Sequence, residues 1–261
     1  MKSAHLLPGC FEAYYIPNFV TSAEETYLLR KIEETPRQKW KALGNRRLQI
    51  WGGEVLQRST LFAQDMPSFL NQFPDILGRL RATTAFECSP HQGPNHVILN
   101  EYLPGQGIMP HEDGPSYHPV VATLSLGSHA VFHYYRYKND QPPESLNLPS
   151  SLGRTIDPIP VLSILLEPRS AIITTGALYT THLHGIEEIE VDKFGGDNKV
   201  FVSASGHEVP IANSDRVQDP ELSKMLLHGG ELRRSSRYSL TCRDVAKVAG
   251  TSLLRSIRQK P

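Results

Sequence analysis

Cysteine, net charge and long apolar runs are all scarce in this chain. The three cysteines, Cys10, Cys88 and Cys242, are odd in number and far apart. They make neither a disulfide framework nor a zinc knuckle, and a reducing compartment, nucleus or cytoplasm rather than the secretory route, is expected. No run of about 18 apolar residues occurs, so no membrane-spanning helix is expected. Near the N-terminus only Leu6 and Leu7 precede Pro8 and Gly9, which is no signal-peptide core. Lys and Arg number 27 and Asp and Glu 27, which excludes a chain that is basic throughout. What remains is a globular composition, 39% hydrophobic and 21% charged over 261 residues. That suffices for one domain spanning residues 1–261 with its own core.

Charge is nevertheless uneven. Residues 30–58 carry eight Lys or Arg against Glu33, Glu34 and Glu54, and residues 231–261 carry eight against Glu231 and Asp244. Either surfaces simply vary, or the two basic segments meet and face a polyanion.

Along the chain, a short strand over Ala13–Phe19 is broken by Pro17. Thr21, with Glu24 three residues on, starts a helix whose apolar face is Tyr27, Leu28 and Ile32 and which ends before Pro36. Residues 37–60 read as hairpin or loop. A second helical stretch, 67–83, is kinked or divided at Pro74. From Asn95 the texture turns to short β-rich runs, 96–102, 120–126, 130–137, 161–166, 171–175, 182–186, 199–204 and 237–243, separated by Gly and Pro. Two insertions interrupt them: a Pro- and Ser-rich stretch at 138–160, and a polar one at 192–236 with a short helix near 220–227. The fold class is α+β, with N-terminal helices (within 1–94), a double-layered β core (95–245) of the sandwich or jelly-roll type, and a basic tail (246–261).

The informative segment is Asn100-Glu-Tyr-Leu-Pro-Gly-Gln-Gly-Ile-Met-Pro-His111-Glu-Asp113-Gly114. In extended chain His111 and Asp113 point to one face, so both can bind one metal. With a second imidazole they form the two-His-one-carboxylate set of non-haem Fe(II) oxygenases, which leaves positions open for a 2-oxo acid and O2. His182 and His184 are both candidates for that imidazole, and spacing does not choose between them. His91, His207 and His228 read as surface or hydrogen-bonded histidines. In Arg237-Tyr-Ser-Leu-Thr-Cys-Arg243 the two arginines share one strand face. A buried arginine suits bidentate capture of a carboxylate such as the distal group of 2-oxoglutarate.

Together, Asn-x-Tyr-x-x-Gly-x-x-Ile-x-x-His-x-Asp, His-Gly-Ile and Arg-x-Ser-Leu-Thr-x-Arg resemble the AlkB family of Fe(II)/2-oxoglutarate dioxygenases over about residues 13–245. The resemblance implies a double-stranded β-helix core with supporting N-terminal helices and a substrate lid at 37–60. It implies Fe(II) held by His111, Asp113 and His184, with His182 as a neighbour. Arg237 would take the distal carboxylate of 2-oxoglutarate, Arg243 would stand by its iron-chelating end, and Asn100 and Tyr102 would hydrogen-bond it. The implied chemistry consumes 2-oxoglutarate and O2, releases succinate and CO2, and hydroxylates a C–H bond. On an N-methyl group the product collapses to formaldehyde and free amine. The expected partner is methylated RNA or DNA, with the protein a monomer away from membranes. A flipped or single-stranded base needs an aromatic to stack on, and Trp51, Tyr117 and Tyr135 are the candidates. Arg46 and Arg47 are candidates for phosphate contacts. The long insertion before Arg237, and Gly114-Pro115 after Asp113, depart from the family pattern. Other readings are a protein hydroxylase or demethylase with the same iron site, and a nucleic-acid binder with a silent pocket. A zinc or manganese enzyme on the same ligands leaves the two arginines unexplained.

Overall fold

The computed structural model describes residues 5–7, 12–138 and 154–249. Most of the 138–160 insertion and of the 246–261 tail lies outside them. In chain order the elements are β1 (Ala13–Ile16), α1 (Ser22–Glu33), β2 (Lys41–Leu43), β3 (Arg46–Trp51), β4 (Gly53–Leu56), β5 (Thr60–Ala63), α2 (Ser68–Asn71), α3 (Ile76–Ala82) and β6 (His96–Tyr102). Then come β7 (Ile108–His111), β8 (Val120–Leu126), β9 (Ala130–Tyr135), β10 (Leu162–Leu166), β11 (Ala171–Thr175), α4 (Gly176–Thr180) and β12 (Leu183–Ile186). The chain closes with β13 (Val191–Gly196), β14 (Lys199–Val202), β15 (His207–Pro210), α5 (Pro220–His228), β16 (Gly230–Arg233), β17 (Arg237–Arg243) and β18 (Lys247–Ala249).

A seven-stranded major sheet, β1-β11-β8-β17-β6-β3-β2, faces a four-stranded minor sheet, β10-β9-β12-β7, and all of their strands pair antiparallel. This is the jelly roll that the family resemblance implies, one of the two architectures, sandwich or jelly roll, that the short strands and turn residues suggest. Period-two alternation divides each major-sheet strand between two environments. On β17, Tyr238, Leu240 and Cys242 join Leu28, Ile32, Leu70, Leu77 and Leu80 of the helices in one apolar cluster. Arg237, Ser239, Thr241 and Arg243 face the minor sheet. A second cluster, with Tyr15, Phe132, Tyr134, Ile164 and Ile172, fills the space between the sheets.

Helix α1 starts on a capping box, with Thr21 and Glu24 each bonding the other's backbone N–H. Two of the donors left open at that helix end are thereby satisfied. Its buried Glu24 pairs with Arg79 of α3, and its Glu25 meets Arg169 at 3.0 Å, which fixes the helical layer on the sheet. The stretch 67–83 is divided at Pro74 into α2 and α3.

The polar insertion is a folded unit. Strands β15-β14-β13-β16 form their own sheet, and α5 packs on β13 and β16. Val200, Val202, Phe194, Val209, Leu222 and Leu226 pack against Val131 and Leu165 on the outer face of the minor sheet. The strands alternate between exposed and buried positions, as in β14, where Lys199 and Phe201 are out and Val200 and Val202 in. The insertion therefore stands away from the face carrying His111 and His184. Residues 37–60, expected as a lid, pair into the major sheet through β3 alongside β6. At the β2–β3 turn, Asn45 donates to Glu188 (2.7 Å) from across the cleft.

Candidate metal centre

Between the sheets lies a narrow cleft with about 50 Å3 of internal space, walled by Asn100, Tyr102, His111, His184, Arg237 and Arg243 among others. His111 ends β7 and His184 lies directly across from it on β12. Their rings stand 4.4 Å apart between centroids. Asp113 follows two residues after His111, and one ligand atom from each of His111, Asp113 and His184 lies within 4.8 Å of the others. His182 precedes β12, and its Nδ1 is engaged with Thr181 and the Ala177 carbonyl.

Each ligand is prepared for a cation. The Nδ1–H of His111 donates to the Met109 carbonyl (2.8 Å), which leaves Nε2 with its lone pair turned to the cluster. Burial lowers the pKa of His111 and pushes that of His184 down to about 4, so both rings are neutral near pH 7. Phe132 stacks on His184 at 5.3 Å and fixes its plane. Burial by itself would raise the Asp113 carboxyl, but Arg243, with the neighbouring histidines, holds it below the ordinary range. Its Oδ1 accepts from Arg243, while Oδ2 is buried with no hydrogen-bond partner. An orphaned carboxylate oxygen beside two neutral imidazoles is a donor set suited to Fe(II), and it costs free energy until a cation or donor meets it.

The other end of the cleft is built for an anion. Arg237 is 3% exposed, and only its Nη2 has a partner, Ser125 Oγ at 2.7 Å. Its Nε and Nη1, like Nε and Nη1 of Arg243, are buried without partners. Desolvation drives the Arg237 pKa down to about 10, a sign of a cation held without its counter-ion. Tyr102 lies under the guanidinium at 5.5 Å, and Asn100, on the same face of β6, accepts from Arg46 (3.1 Å).

The remaining candidates separate. The charge of Arg46 reaches His111 and Tyr102, so it belongs to the cleft rim. Arg47 points to the opposite face of the sheet, where it pairs with Glu101 and stacks on Trp40. Trp51 shares that face and packs edge-on against Phe69 at 5.9 Å, with Lys39 over its ring. These two residues are part of the helix-side packing and not of the cleft, because odd and even positions of β3 face opposite ways. Tyr117 lies near the metal end, 5.0 Å from the Arg243 guanidinium and 5.7 Å from His96. Tyr135 lines a different groove on the outer face of the minor sheet, with Met109, Ile156, Pro158 and Glu187. His91 hydrogen-bonds Asp244 at 2.7 Å, and His207 its neighbour's carbonyl.

Several cleft residues escape sequence reasoning: Phe132, Ser125, His96 and Tyr179. The alternation of Phe132 and Tyr134 in β9 was a usable signal, since it places both on the inner face. The strand runs 120–126 and 96–102 placed Ser125 and His96 but gave neither a role. Tyr179, whose hydroxyl donates to the Gly114 carbonyl at 3.4 Å, sits on a one-turn helix with no periodic pattern.

Comparison with known proteins adds the following. The model of the 2OG-Fe(II) oxygenase superfamily matches residues 12–243. The chain is 35% identical over 240 residues to "Probable RNA/DNA demethylase ALKBH6" of Danio rerio, covering 92% of this chain and 88% of that one. It is 30% identical over 184 residues to "Uncharacterized protein L905" of Acanthamoeba polyphaga mimivirus, covering 69% and 75%. Among solved structures, that of OsALKBH1 superposes with a TM-score of 0.50 at 14% identity, over 91% of this chain and 99% of that one; this likeness is one of fold.

Proposed function

The chain belongs to the 2OG-Fe(II) oxygenase superfamily and, within it, to the AlkB homologues, and from that premise we propose that it oxidatively demethylates N-methylated nucleic acid. Membership makes it an oxidoreductase, a dioxygenase, and implies Fe(II), 2-oxoglutarate and O2. His111, Asp113 and His184 are the residues that would hold the iron. Iron with its co-substrates supplies the oxidation of a C–H bond, and the chain supplies binding, orientation and exclusion of water. Arg237 binds the distal carboxylate of 2-oxoglutarate through its guanidinium, whose Nε and Nη1 have no hydrogen-bond partner in the protein. Arg243 orients Asp113 and faces the chelating end. Asn100 and Tyr102 bind the co-substrate from β6, and Phe132 keeps the His184 ring in plane. Arg46 at the cleft rim suits a phosphate, and Tyr117 is the aromatic placed to meet a base near the metal. The nucleic-acid substrate follows the name of the zebrafish relative; a monomer acting in the nucleus or cytoplasm is part of the same proposal. No helix among the described residues is long and apolar enough to cross a membrane.

The observation that carries this reading is the cleft itself: three metal-competent side chains at one end, a buried arginine without a counter-ion at the other. The test is succinate release by the Fe(II)-loaded protein with 2-oxoglutarate and O2, with and without methylated RNA or DNA, against a His111→Ala control. Turnover stimulated by methylated nucleic acid and lost in the control is expected. Turnover indifferent to nucleic acid would refute the substrate and redirect the search to protein side chains. No turnover with iron and 2-oxoglutarate bound would leave a silent binding module.

A further inference from the structure

The inserted sheet begins and ends on a buried ion pair. Asp192 of β13 receives Nε and Nη2 of Arg234 at 2.7 Å each, and the two side chains are 2% and 6% exposed. His129, in the turn between β8 and β9, donates to the same carboxylate at 3.1 Å. The rest of Arg234 is also fixed: Nη1 donates to the Glu187 carbonyl and its backbone N–H to the Glu190 carbonyl, both at 2.8 Å. The next residue, Ser235, donates its N–H to Ser128 Oγ (2.9 Å). Gly127 lies so close to Ser236 that an added Cβ would stand 2.5 Å from the Ser236 carbonyl oxygen. Three residues beyond Arg234 comes Arg237, the first residue of β17, whose guanidinium makes one hydrogen bond, to Ser125.

We propose that the Asp192–Arg234 pair is a positioning device for Arg237, so that the inserted sheet sets how tightly the distal carboxylate of the 2-oxo acid is held. The inference rests on the assignment of Arg237 to that carboxylate. Two effects point the same way. The fork of Arg234 on Asp192 fixes the backbone where β17 begins, and a guanidinium must be held in place to meet a planar carboxylate with two parallel bonds. Asp192 also neutralises Arg234, whose charge would otherwise repel Arg237 inside the protein. Arg234 thus acts through Arg237 and does not itself touch the co-substrate.

The experiment is anaerobic equilibrium binding of 2-oxoglutarate and, separately, of pyruvate to the Fe(II)-loaded protein. Pyruvate chelates in the same way but lacks the distal carboxylate. Arg234→Lys keeps the charge and loses the fork; Ser128→Ala removes only the hydrogen bond to Ser235. Arg234→Lys is expected to weaken 2-oxoglutarate about 10-fold, the scale of lost orienting contacts, and to leave pyruvate and Fe(II) affinity unchanged. Ser128→Ala should move the ratio in the same direction by less. A ratio unchanged in both variants, or equal weakening of both acids, overturns the proposal. Should Arg234→Lys fail to fold, Ser128→Ala alone decides. An unsubstituted protein that binds the two acids equally would refute the role of Arg237 and the functional reading with it.

Discussion

Replacing Arg237 with Met should move two properties in opposite directions. The guanidinium is buried with Nε and Nη1 unpartnered, and its pKa lies at about 10 against an ordinary 12.5. At ~1.4 kcal/mol per pKa unit, burial disfavours the charged form by about 3 kcal/mol. Methionine removes that penalty, fills most of the volume, and leaves Ser125 Oγ without its donor, a loss of ~1 kcal/mol. The co-substrate-free protein should therefore gain about 2 kcal/mol, or roughly 4–8 °C in Tm at this chain length. In the same variant two charge-assisted hydrogen bonds to the distal carboxylate disappear, each worth ~1.5–3 kcal/mol. Affinity for 2-oxoglutarate should drop by about 10²–10⁴. Calorimetric melts and anaerobic titration of the iron-loaded protein measure the two. A lower Tm together with weaker binding would mean that Arg237 is a structural residue. Unchanged affinity would mean that the carboxylate is bound elsewhere.

His184→Ala should abolish Fe(II) binding, while His182→Ala should leave it nearly intact; inverted outcomes in a metal titration would reassign the third ligand. The pKa values of His96 and His133 are pushed down by burial to about 4. Each is neutral in the folded protein while its unfolded counterpart takes a proton below about pH 6.5. Their contribution to stability is thus whole above that pH and is lost as pH falls toward 4, by at most ~3 kcal/mol each; denaturant melts that stay flat from pH 7 to 4 would contradict this. Arg46→Glu should weaken nucleic-acid binding and flatten its salt dependence. Arg47→Ala should spare both and lower Tm, because it strands the buried Glu101.

What the sequence revealed and what it hid have physical causes. Strands buried on one or both faces of the jelly roll carry strong apolar runs, and β6, β8, β11 and β17 were legible to the residue. The ligand spacing of His111 and Asp113 is local, so it too was visible. The faces of β3 were not. Arg46 and Arg47 are neighbours in sequence, and which of them turns to the cleft depends on the register with Asn100 and Glu101 on β6. Trp51 looked like a stacking platform for the same reason. Within the insertion only β14, at 199–204, and the helix near 220–227 were legible; β13, β15 and β16 were hidden because they are short and interrupted by charged residues and glycine. The insertion's apolar partners, Val131 and Leu165, are supplied by distant strands.

The place of β17 in the major sheet has a consequence for how the protein is made. It pairs along its whole length with β6 on one side and over Tyr238–Arg243 with β8 on the other, yet it is next to last among the described strands in chain order. Until residue 243 has left the ribosome, β6 and β8 are two unsatisfied edges with a gap between them. Such edges are templates for pairing with other chains, and closing a sheet through so distant a segment is slow. The nascent chain thus exposes two pairing edges for as long as this segment takes to emerge. Truncation anywhere before Arg237 should yield aggregation and not a smaller folded protein, for it removes the strand that joins the two halves of the sheet.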